Sequence, residues 1–358
     1  MENLAFFKDL KVVELATVLA GPAVGMFFSE VGAKVTKVEN PKVPDVTRSW
    51  KLSQEDKTSP ISAYFCAINW NKEYVTLDLK NDSDQIQLHQ LLSETDILIT
   101  NFKKRDDIKF NLTYSDLKKK YPTLICAHLT GYGSDSPRAA YDVVLQAETG
   151  FMSMNGQPDG PPTKMPVALI DVLAAHQLKE GILCALLERT KTGQGALVEV
   201  NLFESAIASL ANQASNYLMN EHIPQRLGSL HPNIAPYGEI FQTKNGDEVV
   251  LAIGSNKQFQ LLLNLLSLTS YIEDERFLNN QNRVVNRTEL ARILADEIVK
   301  CETDWLLNAS EKQNIPIGLI RNLKQVFDLA QAQGLVLNED IDGVNTRRVQ
   351  STVFKITT

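Results

Sequence analysis

Asp171 follows the apolar run Val167-Ala168-Leu169-Ile170 and begins a long amphipathic segment that closes with Thr190-Lys191-Thr192-Gly193-Gln194-Gly195. Val172, Ala175, Leu178, Ile182, Ala185 and Leu186 recur at helical spacing, so one face packs on a core while the first turn stays at the surface. A carboxylate there rides on a rigid support. The unpaired N–H groups and dipole of the helix start favour its ionised form by about 0.3–1 kcal/mol in exposed settings. Asp is also among the commonest N-caps, so a purely structural cap is the competing reading of the same residue.

The elements that must hold Asp171 follow from the first 130 residues, where strand-like runs alternate with helical stretches, the pattern of a parallel sheet with crossover helices. Leu10 to Leu15 reads as the first strand, Gly21-Pro22 opens a helix through Phe28, and Lys34 to Val38 is the second strand. Further strands are expected at Val75 to Leu79, Asp96 to Ile99 and Leu124 to Leu129, with helices around Gln85 to Leu92 and Tyr114 to Lys120. In such sheets a ligand lies beyond the carboxyl ends of the strands, which places Lys80, Asn101-Phe102 and Thr130-Gly131-Tyr132-Gly133 around one crevice. The first turn, Leu19-Ala20-Gly21-Pro22, has no G-x-G-x-x-G, which disfavours a nicotinamide cofactor.

Leu197 to Leu202 reads as another strand and Phe203 to Met219 as one helix leaving the sheet. His222 to Pro236 is rich in Pro, Gly and polar residues and reads as a linker. Gly238 to Gln242 and Glu248 to Ile253 form a hairpin-like pair around Lys244-Asn245-Gly246-Asp247. Asn314 to Gly318 reads as a return strand, followed by a helix near Leu323 to Gln333 and a strand from Thr346 to Phe354. The expected division is a large domain over 1–220, a small domain with linkers over 221–309, and a C-terminal segment, 310–358, returning to the large domain.

With 358 residues, two domains fit better than one. A net charge of −7 argues against general nucleic-acid binding, although Lys103-Lys104-Arg105 and Lys118-Lys119-Lys120 can meet a small polyanion. No apolar run reaches the roughly 20 residues of a membrane span, and the N-terminus has no signal-peptide pattern. Cys66, Cys126, Cys184 and Cys301 lie far apart with no metal or redox spacing, and His89, His128, His176, His222 and His231 show no ligand pattern. The expectation is a cytoplasmic protein with reduced thiols, no metal, and neither nucleic acid nor membrane as partner.

Several ordered pieces resemble the family III CoA-transferases, the group of formyl-CoA transferase and carnitine CoA-transferase. They are Val13 to Pro22, Val31 to Glu39 with Asp45-Val46-Thr47-Arg48, Asn71-Lys72 with Val75 to Lys80, Thr100-Asn101-Phe102, Gly131-Tyr132-Gly133, Tyr141-Asp142 and Asp159 to Pro162. Beyond Asp171 come Lys191 to Gly195, His231 to Tyr237 and Ile315 to Gly318. The resemblance implies a large Rossmann-like α/β domain plus a smaller α+β domain in an interlocked homodimer. It implies coenzyme A, as an acyl-CoA, and a free carboxylic acid as substrates. Asp171 is implied as the nucleophile, forming a mixed anhydride and then an aspartyl-CoA thioester. Implied CoA contacts are Leu19, Ala20, Asn40, Leu77, Asp78, Leu79, Lys80, Asn101, Phe102, Lys103, Lys109, Arg138, Tyr141 and Asp142. Lys109 stands where many relatives carry Arg, and Asn40 where some carry a basic residue. The family's glycine-rich covering loop is reduced to Gly254-Ser255-Asn256, and the chain ends earlier than many relatives, which is expected to alter the site's rim or subunit contacts.

Relatives also include α-methylacyl-CoA racemases, which need two proton-transfer groups on opposite faces and carry a His-Asp pair where this chain has Tyr141-Asp142. A phenol keeps its proton at neutral pH, which favours transfer over racemisation. A non-catalytic CoA-binding subunit of a heteromeric transferase is a third reading, opposed by the presence of Asp171. The motifs do not specify the donor acyl-CoA or the acceptor acid.

Overall fold

The computed structural model describes residues 6–103 and 105–357; Lys104 of the basic run lies outside the described residues. The predicted alternation builds a six-stranded sheet from β1 (Lys11–Glu14), β2 (Lys34–Glu39), β3 (Lys72–Thr76), β4 (Ile97–Thr100), β5 (Ile125–Thr130) and β6 (Leu197–Asn201). All pairings are parallel, in the order β3-β2-β1-β4-β5-β6. This is the doubly wound Rossmann order, and its direction of winding reverses between β1 and β4.

Helices α1 (Ala20–Glu30), α2 (Asp82–Leu92), α3 (Tyr114–Lys120), α4 (Asp142–Glu148), α5 (Leu169–Thr192), α6 (Leu202–Ala208) and α7 (Ala211–Asn220) accompany the sheet. Every residue of α1 is buried. Its Val24, Phe27 and Phe28 share a core with Ala174 of α5 and with Ala175, Leu178, Ile182 and Ala185, four residues of the stripe read from the sequence. Each such large side chain contributes about 1.5–3 kcal/mol on burial. Helix α5 stops at Gly193, whose φ of 68° no β-branched residue adopts easily. The core therefore fixes the axis of the helix that carries Asp171.

Four details differ from the sequence reading. Strand β3 begins at Lys72 and ends at Thr76, so Leu77 to Leu79 lie beyond the strand, with the Leu77 N–H still donating to the Glu39 carbonyl of β2. The early start rests on the Lys72 ammonium, which sits buried among four oxygen acceptors. The helix expected over Phe203 to Met219 breaks into α6 and α7, with Ala211, the first residue of α7, at φ 48°. The C-terminal strand is a hairpin of two, Val336–Ile341 and Val344–Val349, turning on Asp342 and Gly343, both left-handed. The helix near Leu323 to Gln333 is two short ones, Leu323–Phe327 and Ala330–Gln333.

The chain forms two compact units. One comprises the described residues up to Met152, Lys164–Ile223 and the described residues from Gly334; the other comprises Ser153–Thr163 and Pro224–Gln333. In the second, β7 (Tyr237–Gln242), β8 (Glu248–Ala252) and β9 (Ile317–Leu319) form an antiparallel sheet in sequential order. Ile317 lies in the segment read as a return strand, yet β9 pairs with β8, because Ile315 is buried in this unit's own core with Val249, Leu251 and Phe259. Ser255, from the short glycine-containing segment, caps the helix Asn256–Leu265 by accepting from the Gln258 N–H.

Candidate active site

Asp171 is the third residue of α5, and the preceding Ala168 offers no side-chain cap. The capping role falls to another residue: Asp142 Oδ1 accepts from the Ile170 N–H at 2.8 Å. The other Asp142 oxygen accepts from Gln146 Nε2 at 2.6 Å, and Gln146, fully buried, accepts in turn from the Met165 N–H at 2.8 Å. Asp142 thus joins the start of α4 to the start of α5. Asp171 itself is left with neither a hydrogen bond nor an ion pair among the described residues, so the N-cap reading of Asp171 is overturned.

The half-buried Asp171 carboxyl lines a cavity of about 330 Å³ at the carboxyl ends of β1, β4 and β5. Burial raises its pKa from the ordinary 3.8 to about 7, and the negative charge of Asp142 adds to the rise. The helix dipole acts in the opposite sense, and burial outweighs it. The Tyr64 phenol is pushed up to about 12, by burial first and then by the charges of Asp171, Asp142 and Asp45, so it keeps its proton beside these carboxylates. The arrangement is a basic, unengaged carboxylate facing an open cavity, suited to attack on an acyl carbonyl.

The expected CoA contacts fall into two groups. Leu19, Ala20, Asn101, Phe102, Lys103, Arg138, Tyr141 and Asp142 line the Asp171 cavity. Asn40, Leu77, Asp78, Leu79, Lys80 and Phe102 line a neighbouring cavity of about 170 Å³, and the two share Thr17 and Phe102. Lys109 lines neither; it lies 4.0 Å from Asp106 and over the ring of Phe110, which does border the smaller cavity. Arg138 is held by Glu148 at 2.6 Å and stacks 3.9 Å over Tyr132. Asn40 Nδ2 reaches Asp78 at 3.4 Å. No histidine borders the Asp171 cavity among the described residues.

The sequence reading missed what shapes the turn between β1 and α1. Thr17 is bracketed by Asn101, which accepts from its N–H at 3.2 Å and donates to its carbonyl at 2.9 Å. Val18 has φ 75°, a strained conformation for a β-branched residue, costing on the order of 1–3 kcal/mol. Its N–H donates to both oxygens of buried Asp45 at 3.3 Å. The only outward signal was the Asp45-Val46-Thr47-Arg48 motif, which does not say where its first side chain points.

Comparison with known proteins bears on this geometry. CoA-transferase family III matches residues 7–357. The chain belongs to that family. It is an acyl-CoA:carboxylate CoA-transferase of family III. It is similar to the succinate–glutarate CoA-transferase of Agrobacterium fabrum, 36% identical over 339 residues, covering 93% of this chain and 84% of the relative. The mouse succinyl-CoA:glutarate CoA-transferase is 34% identical, with 94% and 77% covered. Among solved structures, a CAIB/BAIF family protein from Brucella suis is 36% identical with a TM-score of 0.82, covering 97% of this chain and 91% of that one. No helix of this family III chain is long and apolar enough to cross a membrane among the described residues.

Proposed function

We propose that this CoA-transferase works through a covalent thioester on Asp171, with a short dicarboxylic acid as acceptor and the CoA ester of another as donor. The Asp171 carboxylate attacks the thioester carbonyl, forming a mixed anhydride and expelling CoA thiolate. The thiolate attacks the Asp171 carbonyl of the anhydride, forming aspartyl-CoA thioester and releasing the donor's acid. The incoming carboxylate attacks that thioester to give a second anhydride and thiolate. The thiolate then attacks the acceptor's acyl carbon, giving the new acyl-CoA and restoring Asp171. The observation that carries this reading is the Asp171 carboxylate, free of partners because Asp142 caps the helix in its place.

The adjoining cavities, joined at Thr17 and Phe102, offer a path for pantetheine from the Lys80 side to Asp171. In this proposal Leu19, Ala20, Leu77 to Lys80, Asn101 to Lys103 and Tyr141 contact CoA, while Asp142 acts through Asp171. Lys103 places positive charge at the Asp171 cavity, where a second carboxylate would meet it, while Arg138 is already paired with Glu148. The choice of dicarboxylates is supported by the relatives that act on succinate and glutarate.

We also propose a homodimer. Helix α7 buries none of its residues, and Leu218 and Met219 are 78% and 80% exposed, an apolar face suited to a second copy.

The test mixes the protein with succinyl-CoA and glutarate, follows CoA exchange by mass, and maps peptides for a CoA adduct. Exchange with an adduct at Asp171, both lost in Asp171→Ala, is expected. Solvent deuterium entering the α-carbon without CoA exchange would sink the proposal.

A further inference from the structure

The turn from β1 into α1 borders the Asp171 cavity through Thr17, Val18, Leu19 and Ala20. Its backbone groups are claimed one after another by buried side chains. Lys37 Nζ donates to the Ala16 carbonyl at 2.8 Å, Asn101 holds both sides of Thr17, and Asp45 holds the Val18 N–H. After Val18 the claims stop. The N–H groups of Ala20 and Gly21, at the start of the eleven-residue α1, have no acceptor among the described residues, and Ala23 is the first to bond, to the Leu19 carbonyl at 2.8 Å.

Behind the turn lies a charge cluster with no solvent exposure. Lys37 bridges Glu14 at 2.8 Å and Asp45 at 3.1 Å, and the other Glu14 oxygen meets Lys72 at 2.8 Å. Lys72 also donates to the Pro22 carbonyl at 3.0 Å, inside the first turn of α1. The cluster therefore grips the chain on both sides of Val18. Four buried charges are a poor way to gain stability, since apolar residues of equal volume commonly serve as well. What this cluster specifies, and apolar packing cannot, is the direction of individual peptide groups.

Resting on the proposed transfer reaction, we infer that Asp45, braced by Lys37, is a positioning residue for the acyl-transfer step. By holding the Val18 N–H it keeps Val18 left-handed, and the chain that follows then presents the N–H of Ala20, which lines the Asp171 cavity, to the oxygen that gains charge when Asp171 attacks. Removing this aim lowers the rate of the chemical step far more than it weakens CoA binding, because most of the proposed CoA contacts, Leu77 to Lys80 among them, lie outside the turn.

Two kinds of variant test it in the full chain, with succinyl-CoA and glutarate for turnover and CoA alone for binding. Val18→Pro changes no charged side chain of the cluster, forces φ negative and removes the N–H that Asp45 holds. Its expected kcat is lower by about 100-fold, the scale of a lost oxyanion donor, with the CoA Kd within about threefold of the parent. Asp45→Asn is expected to lower kcat similarly. Adding Val18→Gly to it should recover about tenfold, because glycine takes the left-handed conformation without help. If the Asp45 variants do not fold, Val18→Pro alone decides. Parent-like kcat in either single variant, CoA binding lost in step with kcat, or no recovery in the double variant overturns the inference. An inactive parent would instead sink the transfer reaction itself.

Discussion

Asp171 and Asp142 are two carboxylates with different work because their surroundings differ. Asp142 spends both oxygens on Ile170 and Gln146, whereas Asp171 spends none. With its pKa raised to about 7, Asp171 holds a proton in the folded chain between about pH 4 and pH 7 that the unfolded chain has lost. Stability contributed at this site therefore falls as pH rises through that window and is flat above it. Asp171→Asn should remove the fall: urea melts across pH 4 to 8 should show it gaining on the parent up to about pH 7, by no more than about 4 kcal/mol. Attack needs the ionised form, so single-turnover acylation should rise through about pH 7. Asp142→Asn deletes the neighbouring charge, and the midpoint of that pH profile should move downward; an unmoved midpoint would mean that burial alone sets it.

At the level of elements, α1 and the β1–α1 turn depend on small residues meeting buried charge. A Cβ built on Gly25 would stand 1.9 Å from Glu14 Oε2 and 3.5 Å from Lys72 Nζ. Gly25→Ala must therefore displace a carboxylate whose pKa burial would raise, but which Lys37 and Lys72 hold below its usual range. Chemical denaturation should show a loss of about 3 kcal/mol or more, the scale of breaking a buried ion pair. The sequence displayed this βαβ unit plainly, because apolar periodicity reports which face is buried. It hid the early start of β3, because Lys72 looks like a surface residue until folding brings Glu14 and Pro22, both distant in sequence, to join the local acceptors Ile68 and Asn69 around its ammonium. It also hid the break before α7, because Ala211 carries no turn signal while its φ is 48°.

On the scale of the whole molecule, each unit closes its own core, and the chain passes between units more often than a simple succession of domains would require. Helix α7 buries none of its ten residues in the single chain. If the proposed homodimer forms through this face, Leu218→Asp together with Met219→Asp should convert it to monomer in light scattering at micromolar concentration. A dimer unaffected by both changes would place the subunit contact elsewhere.

The sequence by itself determined the parallel sheet, the helix that carries Asp171 and the family to which the chain belongs, because periodicity and ordered motifs are local properties of a chain. Only the tertiary structure decided that Asp142, twenty-nine residues earlier by number, would cap that helix and leave Asp171 free. It alone placed Asp45 on the Val18 N–H. Both outcomes depend on where side chains converge after folding, and the energy of a buried charge is set by the partners and the water around it, which no linear pattern records.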